Sequence, residues 1–287
     1  MKKKTILALG MAAVAAISIN TTIAYFTSQT EKLSSTATIG NVKIEQFEYE
    51  RKVDSNGKFV STGEKDQYGW IPDVLQEVRQ ARTILPAVFT NGVTEWDNRE
   101  VPEGALKTEH YQSWEEIGAP GANQLFDDSM KNVIDKFVFV ENTGKNNAYV
   151  RTWFAFEQGD LLDEKMDELI GVNINTGSWS WKDVAKNVEI VDENGVVSKY
   201  NIMVATYTAM DGSGILTPDE IARPSLLQLY LNPTATSEDA EAIDGNNNGI
   251  YDVLVMSQAV QADGFADAET AFNATFGEAT AKNHPFK

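Results

Sequence analysis

Short runs of alternating apolar and polar residues, broken by Gly, Asn and Asp, fill most of the chain, and such runs predict strands joined by turns. Residues 37–50, ATIGNVKIEQFEYE, place Val42 and Ile44 on one face, then slip phase to Phe47 and Tyr49, which predicts a strand with a bulge. Residues 133–144 and 148–159 are two β-rich runs joined by TGKNN, and they predict a hairpin with a longer loop. In the first run Ile134, Lys136, Val138 and Val140 share one face and Asp135, Phe137 and Phe139 the other. Asn194-Gly195 between apolar β-branched runs predicts a tight hairpin. Residues 226–231 and 250–261 add two strands. Helical spacing is rarer. Leu161, Leu162, Met166, Leu169 and Ile170 form one stripe; Phe265, Ala268, Phe272 and Phe276 form another, with Gly277 as its stop. Residues 51–130 mix turn residues, charges, Trp70, Trp96, Trp114 and the short apolar run TILPAVF, and predict a loop-rich insertion with one or two strands and a short helix. The pattern as a whole predicts a mainly β chain: one antiparallel β-sandwich domain over 25–287 with helical and loop insertions.

The first 24 residues break the alternation. Lys2, Lys3 and Lys4 precede an uncharged apolar run over 6–19, and Thr22 and Ala24 put small residues three and one before a cut. That is the pattern of a secretory signal, expected as an N-terminal signal helix removed between Ala24 and Tyr25, with retention as an uncleaved anchor as the alternative. The run is shorter than the roughly 18–20 apolar residues that span a bilayer. Export changes how the rest is read. The chain carries 42 acidic and 24 basic residues, a formal charge of −18, and losing the signal removes three lysines and no acid. So acidic a surface argues against nucleic acid and anionic lipid, and for solubility or divalent cations. The absence of cysteine excludes disulfides, thiol catalysis and Cys-ligated metal, so stability must come from a true core.

Two stretches carry candidate metal chemistry. DGNNNGIYD places Asp244, Asn246, Asn248 and Gly249 as the first half of a D-x-N-x-N-G calcium loop, with Asp252 at the ninth position. Val255 stands at the twelfth, where an EF-hand has its bidentate Glu, and a strand follows instead of a helix. The run reads either as a tentative calcium site or as an ordinary Asn/Gly turn. A weaker run offers Asp211, Ser213 and Glu220, with a β-turn as its alternative. His110 and His284 are far apart and form no H-E-x-x-H, so no zinc peptidase motif is present, and no catalytic residue is expected. Arg151, mid-strand among apolar neighbours, is expected to pair with an acid such as Asp135 or Glu157.

Three segments carry a family resemblance. The lysines, the small-residue tail ending at Ala24, the aromatic-centred AYFT and the strand TATIGNVKIE together resemble the signal and first strand of proteins processed by the SipW-type signal peptidase, the TasA, camelysin and CalY relatives of Gram-positive bacteria. DKFVFVENTGKNNAYVRTWFAFE is similar to the core hairpin of that group, and SLLQLYLNPT with DGNNNGIYDVLVMSQAVQADGF to the C-terminal part of its longer members. The resemblance implies a jelly-roll-like sandwich, secreted to the extracellular matrix or cell surface, that assembles into biofilm fibres. It implies a SipW-type peptidase, further copies of the chain and other matrix components as partners. It also implies donation of the N-terminal strand within residues 25–50 to a neighbour, with Thr36, Ile39, Val42, Ile44 and Phe47 as the donated positions; the same strand alternatively completes its own sheet. Physics allows donation: an open sheet edge presents unpaired N–H and C=O groups, and 36–48 is β-prone, alternating and free of Pro. The alternatives are a monomeric calcium-binding surface or adhesion module, and a secreted metallopeptidase as camelysin-like proteins suggest.

Overall fold

The computed structural model describes residues 24–27, 42–60, 63–64, 72–78, 82–88, 111–113, 124–126, 131–191, 195–249 and 251–286. The expected signal helix, Thr36, Ile39, His110, Asn194 and the three tryptophans Trp70, Trp96 and Trp114 lie outside these residues. In chain order the strands are β1 (Ala24–Thr27), β2 (Ile44–Arg51), β3 (Leu75–Glu77), β4 (Arg82–Ile84), β5 (Tyr111–Ser113), β6 (Gln124–Phe126), β7 (Val133–Asp135), β8 (Phe137–Asn142) and β9 (Ala148–Glu157). Helix α1 (Asp163–Leu169) leads to β10 (Ile170–Ile174), β11 (Trp179–Val191), β12 (Val197–Tyr207), β13 (Ile215–Leu216), β14 (Ile221–Ala222) and β15 (Leu226–Leu231). Helix α2 (Ser237–Ile243), β16 (Tyr251–Gln261) and α3 (Ala268–Phe276) complete the order.

The fold is mainly β, built of antiparallel sheets in the manner of a sandwich. The largest sheet runs β11-β12-β9-β16-β1-β4, with β13 also on β9; a second runs β14-β8-β2-β3, and a third β10-β15-β7. Strand β9 lies at the centre, and all ten of its residues are buried. Val150, Phe154 and Phe156 point into the main core, shared with Ile44, Val138, Val140, Leu229 and Val253. On its other face Trp153 and Ala155 pack with Tyr200, Ile202 and Phe286, and Tyr149 packs with Ala271 and Phe272 of α3. Each such buried side chain contributes roughly 1.5–3 kcal/mol of transfer free energy, so a strand buried on both faces anchors two cores at once.

Two expectations from the pattern need correction. The runs 133–144 and 148–159 form no hairpin: β8 pairs with β2 and β14, whereas β9 pairs with β12, β13 and β16. The TGKNN segment crosses between sheets. Asn142, fully buried, holds the crossing: its amide donates to Asn146 O and Leu216 O, both at 2.9 Å, and its Oδ1 accepts from Gly144 N at 3.0 Å. Nor does β2 bulge; it pairs with β8 without interruption from Ile44↔Asn142 to Tyr49↔Phe137. The phase slip has another cause. Ile44 faces the main core, while Phe47 and Tyr49 face a smaller cluster with Phe137 and Phe139, so one strand serves two cores on opposite faces.

Other expectations stand. The faces assigned to 133–140 hold, with Ile134, Val138 and Val140 in the main core and Phe137 and Phe139 in the small one. β11 and β12 pair from Trp179↔Tyr207 to Val191↔Val197, and Gly195 takes φ 82° in the turn between them. α1 buries Met166 and Leu169, although Leu162 of the expected stripe is 73% exposed. α3 starts at Asp267, whose side chain accepts from Thr270 N, and ends at Gly277 with φ 80°. Among the described residues no helix is long and apolar enough to cross a membrane.

Candidate functional site

Two segments singled out in the sequence meet at one place. Ala24 and Tyr25, flanking the expected cut, lie in β1, which is antiparallel to β4 with Tyr25 opposite Thr83. On its other side β1 runs parallel to the start of β16, Phe26 opposite Tyr251 and Thr27 opposite Asp252. Asp252 is also the last residue of the Asn-rich loop. The leading strand therefore docks on the edge of β16 where that loop ends.

The next strand is held differently. Val42 and Ile44 are buried, and Phe47 stacks on Phe139 with ring centres 5.8 Å apart. Two buried ion pairs fix β2 to its neighbours. Glu48 accepts from Lys136 Nζ at 2.6 Å. Arg51 donates to Asp135 through Nε at 2.6 Å and Nη2 at 2.8 Å, and to Phe126 O at 2.7 Å. Removing one partner from a buried pair leaves an uncompensated charge, at a cost of about 3–5 kcal/mol. Of the positions expected to be donated, Ile44 and Phe47 thus pair within this chain's own sheet and Val42 packs in its main core.

The loop from Asp244 to Asp252 folds back on itself. Asp244 Oδ1 accepts from Asn248 N at 3.0 Å and Oδ2 from Gly249 N at 2.7 Å. Asn246 Oδ1 accepts from Asn248 N at 3.1 Å. The amide nitrogens of Asn246 and Asn248 donate to Asp252 Oδ2 at 3.0 and 3.3 Å. Asn247 and Gly249 take left-handed φ of 55° and 78°, which makes the tight turn. The four proposed ligands are thus tied together by hydrogen bonds within one loop.

A residue the sequence reading did not place here completes the site. Glu157, at the end of β9 and fully buried, accepts from Ser198 Oγ at 2.7 Å and Gly245 N at 3.1 Å through Oε1, and from Asp252 N at 3.1 Å through Oε2. Burial pushes its carboxyl up to about 7; the Ser198 and Asp252 bonds oppose this, and the charges of Asp252 and Asp244 add to it. Asp244 is also raised, first by burial, with the bonds from Gly249 and Asn248 opposing. Gly245 lets the loop approach: a Cβ there would stand 2.3 Å from Ser198 Oγ and 2.6 Å from Gly159 Cα. Among the described residues no three Asp, Glu or His side chains are gathered as a ready metal cage. With Asn246 and Asn248 turned to present their oxygens, Asp244, Asn246, Asn248 and Asp252 suit a hard cation such as calcium, with backbone or water oxygens completing its shell.

The other candidates are spent locally. Asp211 Oδ1 accepts from Ser213 N at 2.9 Å and Glu220 Oε2 from Thr217 N at 2.8 Å, so that run forms turns. His284 packs near Phe286, ring centres 6.3 Å apart. Arg151 pairs with neither acid named for it. Asp135 holds Arg51, Glu157 holds the loop, and Arg151 donates to Gln258. Comparisons with protein-family models, with curated proteins and with solved structures each find no match.

Proposed function

We propose that the chain is a secreted structural protein of an extracellular or biofilm matrix, a jelly-roll-like sandwich released by a SipW-type signal peptidase between Ala24 and Tyr25, whose copies link through the freed leading strand. The observation that supports this is the parallel seat of Ala24–Thr27 on the edge of β16. Residues just after the expected cut occupy a sheet position that the same residues of another copy would fit. Backbone hydrogen bonds would supply the affinity. Each copy would donate forward, so the contact is heterologous and builds a filament. The two buried ion pairs of β2 set a limit, and exchange involves the chain before Val42. The cysteine-free chain allows a clean test. Thr27→Cys in one preparation and Asp252→Cys in another, mixed after signal removal and oxidised, should give covalent dimers between unlike copies. Failure of the mixture to cross-link, when one chain carrying both substitutions does so internally, would leave β1 in its own sheet.

The Asn-rich loop favours a second reading, a calcium-stabilised surface module, which is compatible with the first. At a hundredfold excess over Kd, calcium should stabilise the fold by about 2.7 kcal/mol, visible as a rise in Tm that chelator reverses. Asp252→Asn should abolish that rise. An identical melt with calcium and with chelator removes the metal from the account.

A further inference from the structure

The sandwich buries three cations among its described residues, and two of them, Arg51 and Lys136, sit against carboxylates. Arg151 does not. It is 4% exposed, on the face of β9 that α3 covers. Its Nε–H donates to Gln258 Oε1 at 2.8 Å. Its guanidinium lies 4.5 Å from the ring centre of Phe272, 4.9 Å from Trp153 and 5.5 Å from Phe276. It makes no ion pair with a described residue, and the four N–H groups on Nη1 and Nη2 have no acceptor among them. Neither Nη atom is sealed off from open space. Arg151 lines a cavity of about 270 Å³ between β11, β12, β9 and α3.

The walls of this cavity follow from the register. Ser180, Thr206, Arg151 and Gln258 stand directly opposite one another across β11, β12, β9 and β16, so two hydroxyls share the guanidinium's face. Lys182 and Asn273 add further donors, and Phe272 an apolar wall. Burial lowers the guanidinium to about 10, so it stays charged at neutral pH with its lost hydration uncompensated by any carboxylate. A planar fork of N–H donors matches two coplanar oxygens. Glu269 and Glu278 also border the cavity, and their charge weighs about twice as heavily against a dianion such as phosphate as against a monoanion.

We infer that the cavity beneath α3 is a binding site for an aliphatic carboxylate, held by the Nη atoms of Arg151 with the hydroxyls of Ser180 and Thr206 beside it and the carbon chain against Phe272. The occupant is a free acid or the side chain of a glutamate.

NMR of the Arg Nε–H resonances in the purified protein tests this directly, with propionate as the probe. Propionate should shift the Arg151 Nε–H and Asn273 amide signals saturably, and sodium chloride at equal ionic strength should not. Arg151→Lys keeps the charge but loses the fork, and should weaken binding about tenfold. Thr206→Val, which leaves the guanidinium in place, should weaken it by a smaller factor, and serves if the lysine variant does not fold. Blocked glutamate shifting the same signals makes a peptide side chain the occupant; a response to propionate alone makes it a free acid. A linear, chloride-like response to propionate overturns the inference, as does phosphate binding as tightly as propionate.

Discussion

Glu157 illustrates how a single buried charge can set the pH response of a site. Its carboxyl, normally near 4.5, is pushed up to about 7, chiefly by burial. The folded state therefore binds this proton more tightly than the unfolded chain does. The stabilisation is complete below about 4.5 and is lost as pH rises through about 7. Glu157→Gln cannot titrate, so it should lack this loss. Denaturant unfolding at pH 5 and pH 8 should show the parent chain losing roughly 2–3 kcal/mol more than the variant between them. Parallel profiles would mean that Glu157 is as well solvated folded as unfolded. At this scale the sequence was partly legible. The spacing of Asp244, Asn246, Asn248 and Asp252 predicted a tight polar loop, and hydrogen bonds link the four residues within it. Glu157 gave no such signal, because it reaches Gly245 from 88 positions away and only the fold makes them neighbours. Arg151 stood out as a charge in an apolar run, but its ring neighbours on α3 lie more than a hundred residues on and could not be named.

Among elements, strands and helices were more legible than their partners. Alternation located β12, β15 and β16, and the helical stripes located α1 and α3. α2 is not among the predicted helices, although its start has a local sign: Thr236 and Asp239 cap each other reciprocally. The pattern predicts β8 paired with β9 because a short polar connector looks the same whether it turns back or crosses to the facing sheet. What distinguishes them is burial on both faces, since a half-solvated hairpin alternates and β9 does not. The crossing rests on Asn142. Its replacement by Ala strands the carbonyls of Asn146 and Leu216 and the N–H of Gly144. Asn142→Ala should cost about 2–4 kcal/mol in denaturant unfolding. A smaller change than Asn146→Ala, a few residues along the same connector, would show that the crossing is held elsewhere.

For the whole molecule, charge opposes the proposed assembly. A net charge of −18 keeps copies apart, so association needs a specific contact. Electron microscopy of chains beginning at Tyr25 and at Val42 should show fibres from the first and monomers from the second, both with cooperative melts. Fibres of equal length from both would place the contact outside the leading strand. The parallel alignment of β1 on β16 has one more consequence. If copies link through it, each gives a ribbon at one end and receives one at the other, so every link repeats one polarity. Such a polymer would have two unlike tips, one showing a vacant groove and the other a loose ribbon. A groove-filling peptide copied from the leading residues would stop elongation at the first tip and leave the second untouched.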